Sequence, residues 1–442
     1  MDTLALLSDL IAAARAAGAD AADAVLVAGT SVSVACRLGR TEQVERSEGR
    51  DLGLRVFLGQ RAAMVSATSV DPAGFAALAA RAVAMARVVP EDPFAGLAET
   101  AAPPEPVALD LDDPAEPGVA ALTARALAAE AAALAVSGVT NSEGAEAGFG
   151  RTESFLVTSA GFAGRAVRTG HSVSAAVLAG AGTGMQRDYD HHGTVWLEDL
   201  DPPEAIGRSA GERAVARLNP TRPKTAAVPV VYAPRVAGSL LGHLAGAING
   251  ASVARGTSFL KDRMGERLFA PGVRILDDPR RVRGLRSRGF DGEGTPTAAR
   301  ALVEDGVLTS WLLDGRSARQ LGLRSTGHAA RGTGGPPGPA ASNLYLAAGA
   351  VSPAALMADI GFGLYVTELI GMGVNPITGD YSRGAAGFLI RDGKLAEPVA
   401  EITIAGNLPA MFAALRAADD LVFRRGTDAP TVRVEAMTMA GA

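Results

Sequence analysis

The chain is predicted to be an α+β protein, and three observations lead there. Amphipathic helical stripes and period-two strand patterns both occur. The helices are interspersed with hairpins rather than following each strand in strict alternation. Asp305-Gly306 and Asp392-Gly393 each sit between apolar runs, the strongest short-range signal for a hairpin. A chain of 442 residues, 48% hydrophobic and 20% charged, is long enough to bury more than one core.

The first segment opens with a helix in which Leu4, Leu7, Ile11 and Ala14 share one face. Residues 31–38 then alternate Val32, Val34, Cys36 and Leu38 with smaller or polar neighbours, the mark of a half-buried strand. Leu52, Leu54, Val56 and Leu58 repeat the pattern and run into Gly59-Gln60, which predicts a tight hairpin to a strand over 62–67. Pro72 starts a second helix through about Val88. Seven prolines then fall between Pro90 and Pro117 (Pro90, Pro93, Pro103, Pro104, Pro106, Pro114, Pro117). Proline lacks a backbone donor and fixes φ, so this stretch reads as a linker.

A helix over 118–136 opens the central segment. Strand patterns at 154–158, 165–169, 172–178 and 185–189 predict an antiparallel meander broken at glycines, and 204–218 is helical again. Asn219-Pro220-Thr221-Arg222-Pro223 ends that helix. The third segment predicts a strand over 228–232, a helix over 234–248 and a mobile glycine- and proline-rich loop over 327–341. The expected domains are therefore 1–100, 115–222 and 224–442.

With 47 acidic against 42 basic residues the net charge is −5, which disfavours nucleic-acid binding, since phosphate contacts need a cationic surface. The run Arg280, Arg281, Arg283, Arg286 and Arg288 is the local exception and reads as a solvated strand or loop face. The single cysteine, Cys36, permits neither an intramolecular disulfide nor a thiolate cluster. Residues 1–18 carry Asp2 and Asp9 and lack a basic n-region, so no signal peptide is expected. No apolar run reaches the roughly 18–20 residues of a membrane helix. A soluble, cytoplasmic protein without a membrane partner is the expectation.

Familiar catalytic signatures are missing: there is no Cys-x-x-Cys, His-Glu-x-x-His or Gly-x-Ser-x-Gly. Residues 256–261 carry a glycine and a lysine but lack the remaining glycine and the Ser/Thr of a phosphate loop. His191 and His192 follow Asp188 and Asp190, yet neighbours on a strand point to opposite faces and do not converge on one ion. His243 falls on a helical stripe and reads as a hydrogen-bonded core residue. His171 and His328 have no carboxylate at ligand spacing. Glu143, Glu146 and Glu401 form no recognisable acid/base pair.

The run 254–262 (ARGTSFLKD), then Phe269 to Gly272, the long run 371–388 (GMGVNPITGDYSRGAAGF) and 401–408 (EITIAGNL) resemble the TldE (PmbA) branch of the TldD/TldE family. Gln186 to Tyr189 and Asp92-Pro93 are similar too, so the resemblance spans essentially the whole chain. It implies a mixed α/β fold in several parts and a heterodimer of TldD-like and TldE-like chains that cleaves unfolded peptides, including peptide-antibiotic precursors and antitoxins. In that family the catalytic chain carries a His-Glu-x-x-x-His helix before the shared Gly-Thr-Ser, both imidazoles on one face to grip zinc and the glutamate to activate water.

Matching at Gly256-Thr257-Ser258 places Leu241, Gly242 and Gly246 where that motif would stand, and His243 is off by two positions. The resemblance therefore implies a non-catalytic subunit with no metal of its own, with zinc on the TldD-like partner, and a possible homodimer when alone. Asn375, Asp380, Tyr381, Ser382 and Arg383, with the loop 331–339, are the candidates for peptide or partner contact; tight turns and a flexible connector are the bland alternative. Two other functions remain open on sequence: an autonomous peptidase or hydrolase with an unrecognised site, and a homodimeric peptide-binding scaffold.

Overall fold

The computed structural model describes residues 2–99 and 107–441, so Pro103, Pro104 and Pro106 of the expected linker lie outside the described residues. Helix α1 (Thr3–Ala16) buries Leu6, Leu7, Leu10, Ile11 and Ala14 on the predicted face, and the Asp2 carboxylate caps it by accepting from the Leu4 N–H. Strands β1 (Ala21–Arg37) and β2 (Arg40–Leu58) form a long hairpin. Strand β3 (Arg61–Ala67) returns beside β2 through Gly59-Gln60 as expected. Helices α2 (Phe75–Val88) and α3 (Val119–Leu134) follow, then β4 (Val139–Thr158), β5 (Ala163–Ala179), β6 (Gln186–Thr194) and α4 (Pro203–Ala216).

These six strands make one antiparallel sheet in the order β3-β2-β1-β4-β5-β6, so the sheet runs across the proline-rich stretch. The meander is confirmed, but 165–169 and 172–178 are one strand. Gly170 lies in register with Gly150 and does not break it. Even-numbered residues of β1 face the helices: Ala22, Ala24 and Leu26 pack with α1 and α2, and Val34 and Cys36 with Leu122 and Ala126 of α3. Helices α3 and α4 meet at Gly207, where a Cβ would stand 1.9 Å from the Ala129 carbonyl oxygen. A side chain there would force the helices apart.

The C-terminal part begins with β7 (Ala226–Tyr232), helix α5 (Pro234–Ala247) and the short α6 (Gly250–Ala254). A five-stranded sheet uses β8 (Ile275–Asp277), β9 (Arg300–Glu304), β10 (Val307–Leu308), β13 (Leu344–Leu346) and β18 (Thr427–Asp428), with α7 (Gly315–Gln320) after β10. A six-stranded sheet is built from β7, β14 (Phe362–Ile370), β15 (Asp380–Arg391), β16 (Lys394–Asn407), β17 (Leu415–Ala417) and β19 (Val432–Ala440), in the order β16-β15-β14-β7-β19-β17. Both Asp-Gly hairpins are present, and all four turn residues have positive φ, the type I′ signature. The α+β class therefore holds. Among the described residues no helix is long and apolar enough to cross a membrane.

The loop 327–341 is not a free connector. It contains the small hairpin β11 (Ala329–Ala330) and β12 (Gly338–Pro339), and Thr333 packs so closely on β2 that a Cβ at Gly53 would stand 2.5 Å from its carbonyl oxygen. The Arg331 side chain is buried and donates to Asp23 Oδ1 at 2.7 Å. The other Asp23 oxygen takes the Arg55 guanidinium, which also lies 3.7 Å from Glu293 Oε1. This fully enclosed charge cluster joins the first sheet to the C-terminal part.

The arginine run is only partly the solvated face expected: Arg280 and Arg286 are exposed, and the other three are engaged. Arg283 pairs with Asp110, Glu198 and Asp199, Arg281 lies over the Phe423 ring, and Arg288 donates to the carbonyls of Ala329 and Ala340.

Candidate functional site

Helix α5 and the three C-terminal motifs converge on one region. Pro234 starts the helix, and Ala237, Leu240, Leu241, Leu244 and Ala247 bury its core-facing stripe. The Ser258 hydroxyl donates to the Ala247 carbonyl at 2.5 Å, fastening the 254–262 motif to the end of this helix. The Phe259 N–H donates to the Pro376 carbonyl at 3.0 Å. Asn407 closes the region from the third motif, donating to the Thr378 carbonyl at 3.0 Å and to Asp380 Oδ1 at 3.2 Å.

The five candidate contact residues divide in two. Asn375 and Asp380 shape the turn: Asn375 Oδ1 accepts from the Ile377 and Thr378 N–H groups, and Asp380 accepts from the Thr378 hydroxyl at 2.7 Å. That hydroxyl holds the Asp380 carboxyl below its usual range. Ser382 is exposed and its N–H donates to the Gly373 carbonyl. Tyr381 is 2% exposed, and Arg383 is partly buried beside it. Only these last two reach α5.

His243 meets the Tyr381 ring edge-on, with centroids 5.8 Å apart. Its Nε2 is enclosed and has no hydrogen-bond partner, which corrects the expectation of a hydrogen-bonded core histidine. No acceptor stands within hydrogen-bond reach of it. Burial and the neighbouring Arg383 push the His243 pKa down, so the ring is neutral at pH 7. Burial raises Tyr381, and Tyr232 well above the usual tyrosine value, so both phenols stay protonated.

Leu241 points into the core at 2% exposure, whereas Gly242 and Gly246 stand on the exposed face, where an added Cβ meets nothing within 4 Å. The outward face of α5 is thus open, smooth and without a donor at either glycine. One neutral imidazole beside a guanidinium does not make a zinc shell, which takes three or four nitrogen, sulfur or carboxylate ligands. Among the described residues no group of three or more His, Cys, Asp and Glu side chains is placed to hold a metal ion. The residues present do not fit the metal. Exposed Ile370, Met372 and Ile377 border the same region on the 370–379 turn.

The carboxylates beside His171 and His328 come from far along the chain, which is why spacing did not reveal them. His171 Nε2 lies 3.0 Å from the Asp113 carboxylate, and His328 Nε2 lies 3.1 Å from Asp277 with Thr326 on its other nitrogen. His192 Nδ1 accepts from the Asp201 N–H. These are structural contacts away from α5.

Three consecutive segments match the PmbA/TldA metallopeptidase family: domain 1 over residues 22–86, the central domain over 112–218 and the C-terminal domain over 225–441. The chain is 38% identical to the metalloprotease PmbA of Escherichia coli O157:H7, over 96% of this chain and 92% of that protein. It is 34% identical to a PmbA homologue of Haemophilus influenzae, over 97% and 94%. In fold it is similar to a Bacteroides thetaiotaomicron protein described as a modulator of DNA gyrase, with TM-score 0.90, 24% identity and coverage of 99% and 98%. It is similar also to TldE of Thermococcus kodakarensis, with TM-score 0.84, 19% identity and coverage of 99% and 100%.

Proposed function

This chain belongs to the PmbA/TldD metallopeptidase family, and from that premise we propose that it serves as a non-catalytic, TldE-type subunit of a cytoplasmic assembly that cleaves unfolded peptides. The zinc and the water-activating glutamate then reside on a TldD-like partner. One observation carries the reading: the helix that precedes Gly256-Thr257-Ser258 presents two glycines to solvent, Gly242 and Gly246, at positions where the resemblance puts the motif's glutamate and second histidine. A helix that needed to ligate zinc would place donors on that face.

The smooth strip has a use in such an assembly. An extended peptide backbone can lie close against glycines, where side chains would hold it off. The exposed Ile370, Met372 and Ile377 beside it supply an apolar border for the partner chain to cover.

Filling the strip tests this. Gly246→Trp, assayed in the reconstituted assembly, is expected to lower peptide turnover by about tenfold or more through misplacement of the substrate. Thermal stability should not fall, since the site is open and glycine is a poor helix former. His243→Ala should leave turnover within about twofold, because it is not asked to do chemistry. Full activity in the tryptophan variant would remove the peptide path from this helix.

A further inference from the structure

Beside α5 stands a cation that no acid of the described residues neutralises. Arg383 follows Tyr381 by two positions on β15, so its side chain shares the face that meets α5, next to His243. The side chain is partly exposed, yet its Nε is enclosed and has no hydrogen-bond partner. Among the described residues no carboxylate stands within ion-pair distance of the guanidinium.

The acids on the neighbouring strands are already engaged. Asp380 lies on the opposite face of β15 and is held by Thr378 and Asn407. Glu368 on β14 pairs with Arg217, and Glu401 on β16 pairs with Arg222. The groups that surround the cation bring no negative charge. His243 is neutral, Tyr232 and Tyr381 keep their protons, and the residue opposite on β16 is the buried Ile404. A guanidinium keeps its charge at any pH a protein meets, so it cannot escape partial burial by losing a proton. An acceptor brought from outside relieves that cost.

Position decides where the acceptor comes from. His243 directly follows Gly242 on α5, and Gly246 stands one turn further on, so the cation borders the smooth strip. We propose that Arg383 is a specificity-determining residue of this strip, binding a carboxylate carried by the peptide and so favouring acidic peptides over neutral ones. The inference rests on the peptide path over α5 proposed above. A carboxylate suits the planar guanidinium better than a lone carbonyl, because two oxygens meet paired donors and the charges attract. Two sources share this chemistry: an Asp or Glu side chain and the C-terminal end of the peptide.

Calorimetric titration of the full chain with four alanine-rich decapeptides tests it. Three are amidated and carry a central Glu, Gln or Lys; the fourth is the Gln peptide with a free C-terminus. An acidic peptide is expected to bind at least about tenfold more tightly than the amidated Gln peptide, through a charge-assisted bond. Preference for the Glu peptide assigns a side chain, and preference for the free C-terminus assigns a chain end. Arg383→Gln should bring the ratio within about twofold, and Arg383→Glu should turn it in favour of the Lys peptide. Neither variant should lower Tm, since this guanidinium has no internal partner to lose. Equal binding of acidic and neutral peptides, or an unchanged ratio in Arg383→Gln, would overturn the proposal. If Gly246→Trp abolishes that equal binding, the path over α5 stands without Arg383. If Gly246→Trp leaves it unchanged, or no peptide binds at millimolar concentration, the path falls as well.

Discussion

Replacing Asp23 with alanine is expected to cost about 3–5 kcal/mol of folding stability, the range for removing one partner from a buried ion pair. The carboxylate is 1% exposed and holds both Arg55 and Arg331, residues of different segments. Without it two guanidinium groups remain enclosed, with Glu293 the nearest remaining acid of the cluster. Urea denaturation at pH 7 measures the change, and a loss under about 1 kcal/mol would show that the cluster is solvated and weak.

The pH dependence has a definite sign. Burial alone would push the Asp23 pKa up, but Arg55 and Arg331 outweigh it and hold the carboxyl below the usual range. A depressed acid contributes stability above its unfolded pKa of about 3.9, and the contribution is lost as pH falls through the folded value. The difference between wild type and variant should therefore be full at neutral pH and narrow only in strong acid.

Glu293 in the same cluster behaves in the opposite way. Burial pushes it up to about 7; Arg55 and the Gly315 N–H oppose the shift, and Asp291 and Asp314 add to it. The folded chain thus holds this proton more tightly than the unfolded one. Its penalty is absent at low pH and grows as pH rises from about 4.3 toward 7. Glu293→Gln keeps an oxygen for Gly315 and removes the ionisation. It is expected to raise stability by about 3 kcal/mol at pH 8, a gain that shrinks as pH is lowered toward 5. Denaturation midpoints across that range decide it: a variant less stable than wild type at pH 8 would mean that the Arg55–Glu293 contact outweighs desolvation.

How far these features were legible follows from the range of the signals. Local chemistry was: the helical stripe of α1, the Gly59-Gln60 turn and both Asp-Gly hairpins depend on residues a few positions apart. The outer half of β2 was not, because residues 40–51 are exposed throughout and show no apolar alternation, their extended form being set by pairing with β1. The Asp23–Arg331 bond spans 308 positions, and nothing near either residue announces it. The loop 327–341 has the composition of a flexible connector, yet Gly53 on β2 admits it closely enough to bury Arg331.

The candidate site divides along the same line. The α5 helix, its missing donors and the adjoining motifs could be read from residue order. That Tyr381 and Arg383 reach His243, while Asn375 and Asp380 shape the turn, depends on side-chain placement that residue order does not give.

Metal counting coupled to peptide turnover, on this chain alone and on its complex with a TldD-like chain, bears most directly on the subunit reading. The account predicts no stoichiometric zinc and no cleavage by the isolated chain. In the complex, zinc should travel with the partner and cleavage should stop on chelation. Equimolar zinc and chelator-sensitive cleavage by the purified single chain would contradict it.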